Sequence, residues 1–322
     1  MYNTFIRQHL LTTLTAFAAL LLAALPIQQA RADGFSLGAA ANYAVLFEGG
    51  GLNTLQITNV TTNTTGGGTG VAAGQGGGIG NIGVGGTGLA TISGPSTING
   101  RIDFSAANTG QFSNNNGADV FTGPNFGVAA VTSALNTVNA LNTTIGGLPG
   151  ASLSINGNTT VNASPGKLTV FDVSSFSLNN GQTLTINGTA GQLVAFNFTS
   201  STQFHGNVAL TGGLTPEDVL FNFVGGSNLT GGPTLDLNNG GGSPSNGSYL
   251  SQGIFLDPNG VVSVTNSNVL GYVFGGDTHD FQYVSGSNIT APLVRTPEPS
   301  SLALLATGLF GLVGFARRKL NS

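Results

Sequence analysis

TLTINGTAGQLVAFNF, residues 183–198, alternates hydroxyl or small side chains with Leu184, Ile186, Val194, Phe196 and Phe198, and breaks between its two runs at Gly188 and Gly191. A period of two marks short strands with one face buried. The phrasing recurs without a strict period in TLQITNV (54–60), ATISGPSTINGRIDFS (90–105), SLSINGNTTVN (152–162) and NVALTGG (207–213). Ile-Asn-Gly stands at 98–100, 155–157 and 186–188. Asn-Gly can close two-residue hairpins, but many short strands with small residues at their corners also describe the coils of a solenoid, and the solenoid is the expectation.

One stretch departs from this rhythm. VAAVTSALNTVNALNTTIGG (128–147) spaces Val128, Val131, Leu135, Val138, Leu141 and Ile145 as on one side of a helix, and Gly146-Gly147 ends it. The spacing predicts a helix over about residues 127–145. Val and Thr are mediocre helix formers, so this helix needs packing against the solenoid to hold.

Glycine supplies 52 of 322 residues, only 6% are charged and 40% are hydrophobic, enough to build a core beneath an amide and hydroxyl surface. There is no cysteine, which excludes disulfides, thiolate metal sites and a cysteine nucleophile. Between residues 33 and 295, three cations (Arg101, Lys167, Arg295) face eleven carboxylates, a net charge of −8 that repels a phosphate backbone and argues against nucleic-acid binding.

The two ends read as addresses. Arg7 precedes an apolar run from Leu10 to Leu25, and Ala30-Arg31-Ala32 offers the small residues that a signal peptidase accepts, so residues 1–32 read as a helical signal peptide cleaved after Ala32. At the other end, Ser301–Ala316 is apolar or small throughout. As a helix it would be about 24 Å long, somewhat short of a hydrocarbon core, and local thinning or snorkelling would let it span. Arg317, Arg318 and Lys319 follow at once, a cluster that stays on the cytoplasmic side. Just outside, Pro297-Glu298-Pro299 holds the chain extended, as a protease requires.

This order over residues 297–322 resembles the PEP-CTERM sorting signal. The resemblance implies an exported substrate of an exosortase that cleaves near Pro297, Glu298 and Pro299, transiently held in the inner membrane by a C-terminal hydrophobic helix (301–316) within a sorting segment 296–322. It also implies a host that makes exopolysaccharide. The body between, a domain over residues 33–295, resembles over roughly residues 35–292 the ice-binding-like and choice-of-anchor A families of exported surface proteins. The residues that carry this are LGAAANYAVLFEGGG (37–51), VFDVSSFSLNNGQTLTING (170–188), DVLFNFVGG (218–226) and GYVFGGDTHDFQYVSGSNITAP (271–292). The resemblance implies an all-β fold, a right-handed parallel β-helix with one long packed α-helix. It supplies no catalytic residues. The Gly-rich stretch from Gly66 to Gly88 departs from the compact start of those families.

Four features raise the question of chemistry. Gly78-Ile79-Gly80-Asn81-Ile82-Gly83 matches a dinucleotide fingerprint, but neither a following helix nor an acidic residue about twenty positions on accompanies it, so a flexible loop or Gly-rich coil is expected. Asp277, His279 and Asp280 gather polar ligands without the six or more oxygens calcium prefers. Glu217-Asp218 and Asp257 would suit a glycosidase pair, yet Pro216 and Asp257-Pro258-Asn259-Gly260 read as turns. His205 lacks a serine elbow in sequence. No cofactor or metal is expected. The leading expectation is a non-enzymatic, exported structural or adhesive protein of the cell surface or exopolysaccharide matrix. Ice binding and a β-helical polysaccharide-degrading enzyme are the alternatives. Intact mass of the protein from its own host should show loss of residues 1–32 and of everything after about Thr296, whereas retention of Ser322 in the membrane fraction would make the tail a permanent anchor.

Overall fold

Every pairing between strands among the described residues is parallel, so the Asn-Gly steps are corners and bends of a solenoid instead of hairpin turns. The structure is a computed structural model that describes residues 34–51, 53–64, 80–107, 109–115, 120–224, 235–240, 251–276 and 280–292. The expected signal segment with Ala30 and Ala32, the sorting residues Pro297, Glu298, Pro299, Arg317, Arg318 and Lys319, and the apolar run 301–316 lie outside these residues. Asn156-Gly157 is one such corner, with Gly157 at φ 73° between strands Ala151–Asn156 and Thr159–Asn162.

The coils stack in register, and apolar side chains form continuous inward rows. One row on the helix side runs Phe171, Phe196, Phe221, Phe255, Val273, Val45, Ile82 and Ile102. Its first four rings stack, with centroids 5.5, 5.2 and 4.8 Å apart, each pair adding about 0.5–1.5 kcal/mol beyond burial. Corners that the long strands must cross need glycine. Gly253 and Gly271, paired in adjacent coils, have φ of 143° and 147°, and a Cβ on Gly271 would run into the carbonyl oxygen of Gly253.

The stacking order does not follow the chain. Coils climb from Ala151–Asn156 to Asn268–Gly275 and Asn288–Ala291, and on these sit the first strands of the chain. Tyr43–Phe47 pairs with Asn268–Gly275 (Val45 opposite Val273), Thr54–Thr58 with Phe281–Val284, and Thr61–Thr64 with Asn288–Ala291. Asn81–Val84, Thr97–Phe104 and Val120–Asn125 then extend the stack to its other end.

The chain therefore has to travel from one end of the rod to the other. From Val120–Asn125 to Ala151–Asn156 is nine strand steps, about 43 Å. The helix Ala129–Gly146, within a residue or two of its expected bounds, supplies about 27 Å of this. The linkers at either end supply the rest. Val131, Ala134, Leu135, Val138 and Ile145 are its buried apolar face. Gly146 lies so close to Val224 that a Cβ would sit 2.9 Å from it. Asn142 enters the interface as a polar register pin. Its Nδ2 donates to Asn222 Oδ1 (2.8 Å) and the Phe223 carbonyl (2.9 Å), Asn222 Nδ2 donates to Asn197 Oδ1 (3.0 Å), and Asn197 Nδ2 donates to the Ile145 carbonyl (3.2 Å).

Phe47, fully buried between Gly275 and Val84 and edge-on to Phe281, tests the junction of the two chain ends. Phe47→Ala should cost about 3–5 kcal/mol in urea unfolding, and Gly271→Ala should also destabilise, by strain at the corner.

Candidate functional site

The helix covers one face of the solenoid, where strands Tyr43–Phe47, Asn81–Val84 and Val219–Phe223 are buried at every position. A second face, of seven strands in the order Thr202–Phe204, Leu235–Leu237, Val262–Thr265, Phe281–Val284, Thr54–Thr58, Leu89–Ile92 and Phe112–Asn114, keeps one side in solvent. Its inward residues, among them Phe204, Leu237, Val264, Tyr283, Ile57 and Ile92, are buried. The residues between them point out in register as Gln203, Asp236, Ser263, Gln282, Gln56, Thr91 and Ser113. All seven are partly or fully exposed.

A second outward row, two residues on, carries Thr265, Val284 and Thr58, and the Thr58 hydroxyl meets that of Ser93 at 2.8 Å. Rows on one strand lie about 6.8 Å apart and neighbours across strands about 4.8 Å. The face is a lattice of amides and hydroxyls that offers repeated weak hydrogen bonds and one carboxylate.

At the Thr202–Phe204 end this face opens into a cleft of about 530 Å³. Phe176, Ser177 and Asn179 from one coil, Gln203 and His205 from the next, and Asp236 and Ser263 from the coils beyond line it. His205 Nε2 lies 3.1 Å from Asp236 Oδ2, and both side chains are about a quarter to a third exposed (32% and 24%), so the contact itself adds little to stability. Sequence reading tested His205 only against a serine elbow; its partner Asp236 stands 31 residues away and one coil up.

The other residues singled out in the sequence fall to structural roles. Asn81–Val84 of the Gly-rich fingerprint is a buried strand, a Gly-rich coil, with a Cβ on Gly83 2.6 Å from Leu46 Cδ1. The buried Asn81 donates to the Asn42 carbonyl (2.9 Å) and accepts from the Arg101 amide (3.0 Å). Asp218 caps its own turn, accepting from the Thr215 amide and hydroxyl, each at 2.7 Å, while the backbone carbonyl of Glu217 accepts from the Phe35 amide at 2.8 Å. Asp280 Oδ1 accepts from the Thr54 amide (2.8 Å). Asp277 and His279 lie outside the described residues. Arg101 Nε bonds the buried Asp103 at 2.6 Å, joined there by Tyr43 and Asn125. Burial, then the Asp103 charge, pushes the Tyr43 hydroxyl up to about 12.

Residues 295–319 match the family model of the PEP-CTERM protein-sorting motif, which marks an exported, surface-sorted chain. No curated protein matches the chain. Among solved structures, an ice-binding protein with antifreeze activity from an Arctic yeast is 13% identical, covers 84% of this chain and 99% of its own, and has a TM-score of 0.50. An ice-binding protein from the Antarctic ascomycete Antarctomyces psychrotrophicus is 14% identical over 80% of this chain and 98% of its own, at a TM-score of 0.47. The DUF3494 domain of a Shewanella frigidimarina ice-binding protein is 12% identical over 80% and 98%, at 0.38. What the yeast protein shares with this chain is the β-helical fold. Among the described residues no helix is long and apolar enough to cross a membrane, and no three metal-ligating side chains converge.

Asp257 stands where the sequence places it, at the start of the turn through Pro258 and Asn259, but its side chain does more than open that turn. It is the last residue of strand Ser251–Asp257, is fully buried, and by alternation lies on the inward side with Phe255. Neither carboxyl oxygen has a hydrogen-bond partner of ordinary geometry. The nearby amides of Leu235 and Gly260 offset only part of the burial, and that of Leu235 already donates to Val261. Burial pushes this carboxyl well above the usual carboxylate range. Because the native value is raised above the unfolded one, near 3.9, its contribution is complete below about pH 4 and is lost as pH rises toward the native value. Urea unfolding between pH 4 and 7 should show stability falling with pH, by up to about 1.4 kcal/mol per unit, and Asp257→Asn should flatten that slope.

Proposed function

We propose that this exported chain is a non-enzymatic surface protein whose open seven-stranded face holds a polyhydroxylated polymer of the cell's surroundings, exopolysaccharide first among them. The observation that carries the reading is the uncovered outward row from Gln203 to Ser113, with one side chain from each of seven coils in register. The strand repeat is close to the length of one sugar unit, so a glycan lying along the stack meets an amide or hydroxyl at each step. Weak contacts repeated on one rod add through effective concentration, without a deep pocket. The addresses at the two ends fit this role. Signal peptidase removes residues 1–32, the segment 301–316 holds the chain briefly in the inner membrane, and exosortase cleavage near Pro297-Glu298-Pro299 delivers the rod to the surface or matrix.

A second reading is ice binding. It is favoured by the hydroxyl groups of Thr54, Thr58, Thr91 and Thr265 on the same face and by the fold shared with the antifreeze protein of the Arctic yeast. Against it stand Gln56, Gln203 and Gln282, long and exposed side chains that keep rotamer freedom where an ordered water layer needs short, fixed groups. A polysaccharide-degrading reading needs two carboxylates across a scissile bond. Asp218 is engaged in a turn, Asp257 lies in the core, and Asp236 is the one carboxylate among the described residues that line the cleft.

The polymer reading is tested by co-sedimentation of the protein with host exopolysaccharide. Binding should be retained in the wild type and weakened about tenfold or more by Gln56→Ala combined with Gln282→Ala, two hydrogen-bonding amides at roughly 1 kcal/mol each. Thermal hysteresis abolished by Thr91→Tyr, with no polymer bound, would transfer the face to ice, and release of reducing ends would make the chain an enzyme.

A further inference from the structure

The polar groups of the cleft at the Thr202–Phe204 end are not used up by the fold. Asp236 has Oδ2 on His205, and no other hydrogen bond to its carboxylate occurs among the described residues. His205 likewise has one ring nitrogen on Asp236 and the other without a partner there. The Gln203 amide and the Ser177 hydroxyl, both exposed, also make no side-chain hydrogen bond among the described residues, and Asn179 bonds there only through its backbone, its amide donating to Gln182 Oε1 and its carbonyl accepting from the Gln182 amide. Four kinds of donor and acceptor therefore converge on a space of about 530 Å³, within the range of small-molecule sites.

The cleft is also held rigidly. His205 is fixed by its amide donating to the Leu178 carbonyl (3.0 Å), and Phe204 pairs with Leu178 across the coils. Phe176, half-buried, packs against Phe198 and Phe204 with centroids 5.5 and 4.5 Å away, and its remaining surface is on the cleft. An aromatic surface beside a single carboxylate, an imidazole and side-chain amides is suited to a neutral sugar. The ring's C–H face lies on the aromatic group, two adjacent hydroxyls donate to one carboxylate, and the imidazole and amides serve the remaining oxygens. Among the described residues that line the cleft, a phosphate or sulfate would meet Asp236 with no lysine or arginine to offset it, and a divalent cation would find one carboxylate where several oxygens are required. The cleft differs from the face it joins, because it is concave and offers carboxylate, imidazole and aromatic groups together.

We propose that the His205–Asp236 cleft is a binding site for a neutral monosaccharide unit with adjacent hydroxyls, with Asp236 as the acceptor of both, Phe176 as the platform and His205 as the group that orients Asp236. The proposal deepens the polymer reading and rests on it in one respect: the cleft would seat a chain end or branch of the glycan that lies on the outward row.

Saturation-transfer NMR of the purified full chain with glucose, galactose, mannose and fucose, each alone, tests it. The expected result is transfer from at least one of these sugars, a shift of the His205 imidazole signals on titration, and about tenfold or greater weakening by the near-isosteric Asp236→Asn. Thr160→Ala, on a different exposed face, should leave the affinity unchanged. Phe176→Leu, which keeps apolar volume at a buried edge, should weaken binding without unfolding the protein by circular dichroism. No transfer from any of the four sugars, or transfer that Asp236→Asn leaves intact, overturns the proposal. So does binding that appears only with added calcium and vanishes with a chelator. Exopolysaccharide binding that survives in Asp236→Asn while free sugars fail to bind sinks the cleft and leaves the outward row standing. Free sugars that bind at Asp236, with no retention of the polymer, support the cleft and sink the row.

Discussion

The structure depends on a junction between the two ends of the chain. The first strand, Tyr43–Phe47, finds its lower hydrogen-bonding partner in Asn268–Gly275, more than two hundred residues later, and the next two strands pair with Phe281–Val284 and Asn288–Ala291. Until those late coils exist, the early strands have only one neighbour each, and their apolar rows end in water. Stacking between coils is a nearest-neighbour interaction, but this permuted order ties the earliest strands to the latest. Such long sequence separation slows folding relative to a solenoid wound in chain order.

The helix follows from the same constraint. A chain that builds one end of a rod and must begin again at the other needs a connector of fixed length, and 18 helical residues with two short linkers cover the distance. The connector buries one face of the rod, which explains why strands beneath it are buried on both sides. It is held in register by Asn142, Asn197 and Asn222, whose amides satisfy one another where an unpaired amide would be costly. The face away from it carries the exposed rows, and it alone among the described surfaces combines seven in-register outward side chains with an adjoining cleft.

Legibility in the sequence tracks how local each feature is. Strands, their alternation and the helix periodicity are set by neighbours within a few residues, and these appear in TLTINGTAGQLVAFNF and in VAAVTSALNTVNALNTTIGG without help. The outward row was not legible, because each member comes from a different coil and the coils differ in length. A signal did exist in the left-handed residues Asn59, Asn266 and Ser285, which follow Thr58, Thr265 and Val284 and mark the same corner in three coils (φ 54°, 45° and 60°). Aligning TLQITN with SVTN and FQYVSG on that corner would have placed Gln56, Ser263 and Gln282 side by side. Asp-Pro-Asn-Gly is the turn its composition predicts, but that local signal says nothing of the Asp257 side chain, which the strand before the turn directs into the core.

What the sequence determined by itself was the kind of object: an exported, mostly β chain with amide and hydroxyl surfaces, a solenoid and one long helix. Those properties rest on composition, on short-range periodicity and on a contiguous tail motif at residues 295–319, while the parallel winding was implied only by the family resemblance. Only the tertiary structure decided which coil follows which, which face the helix covers, and therefore which side chains meet. His205 and Asp236 become partners, and Gln203, Gln282 and Gln56 members of one row, because parallel stacking at about 4.8 Å brings together residues that the chain keeps tens to hundreds of positions apart.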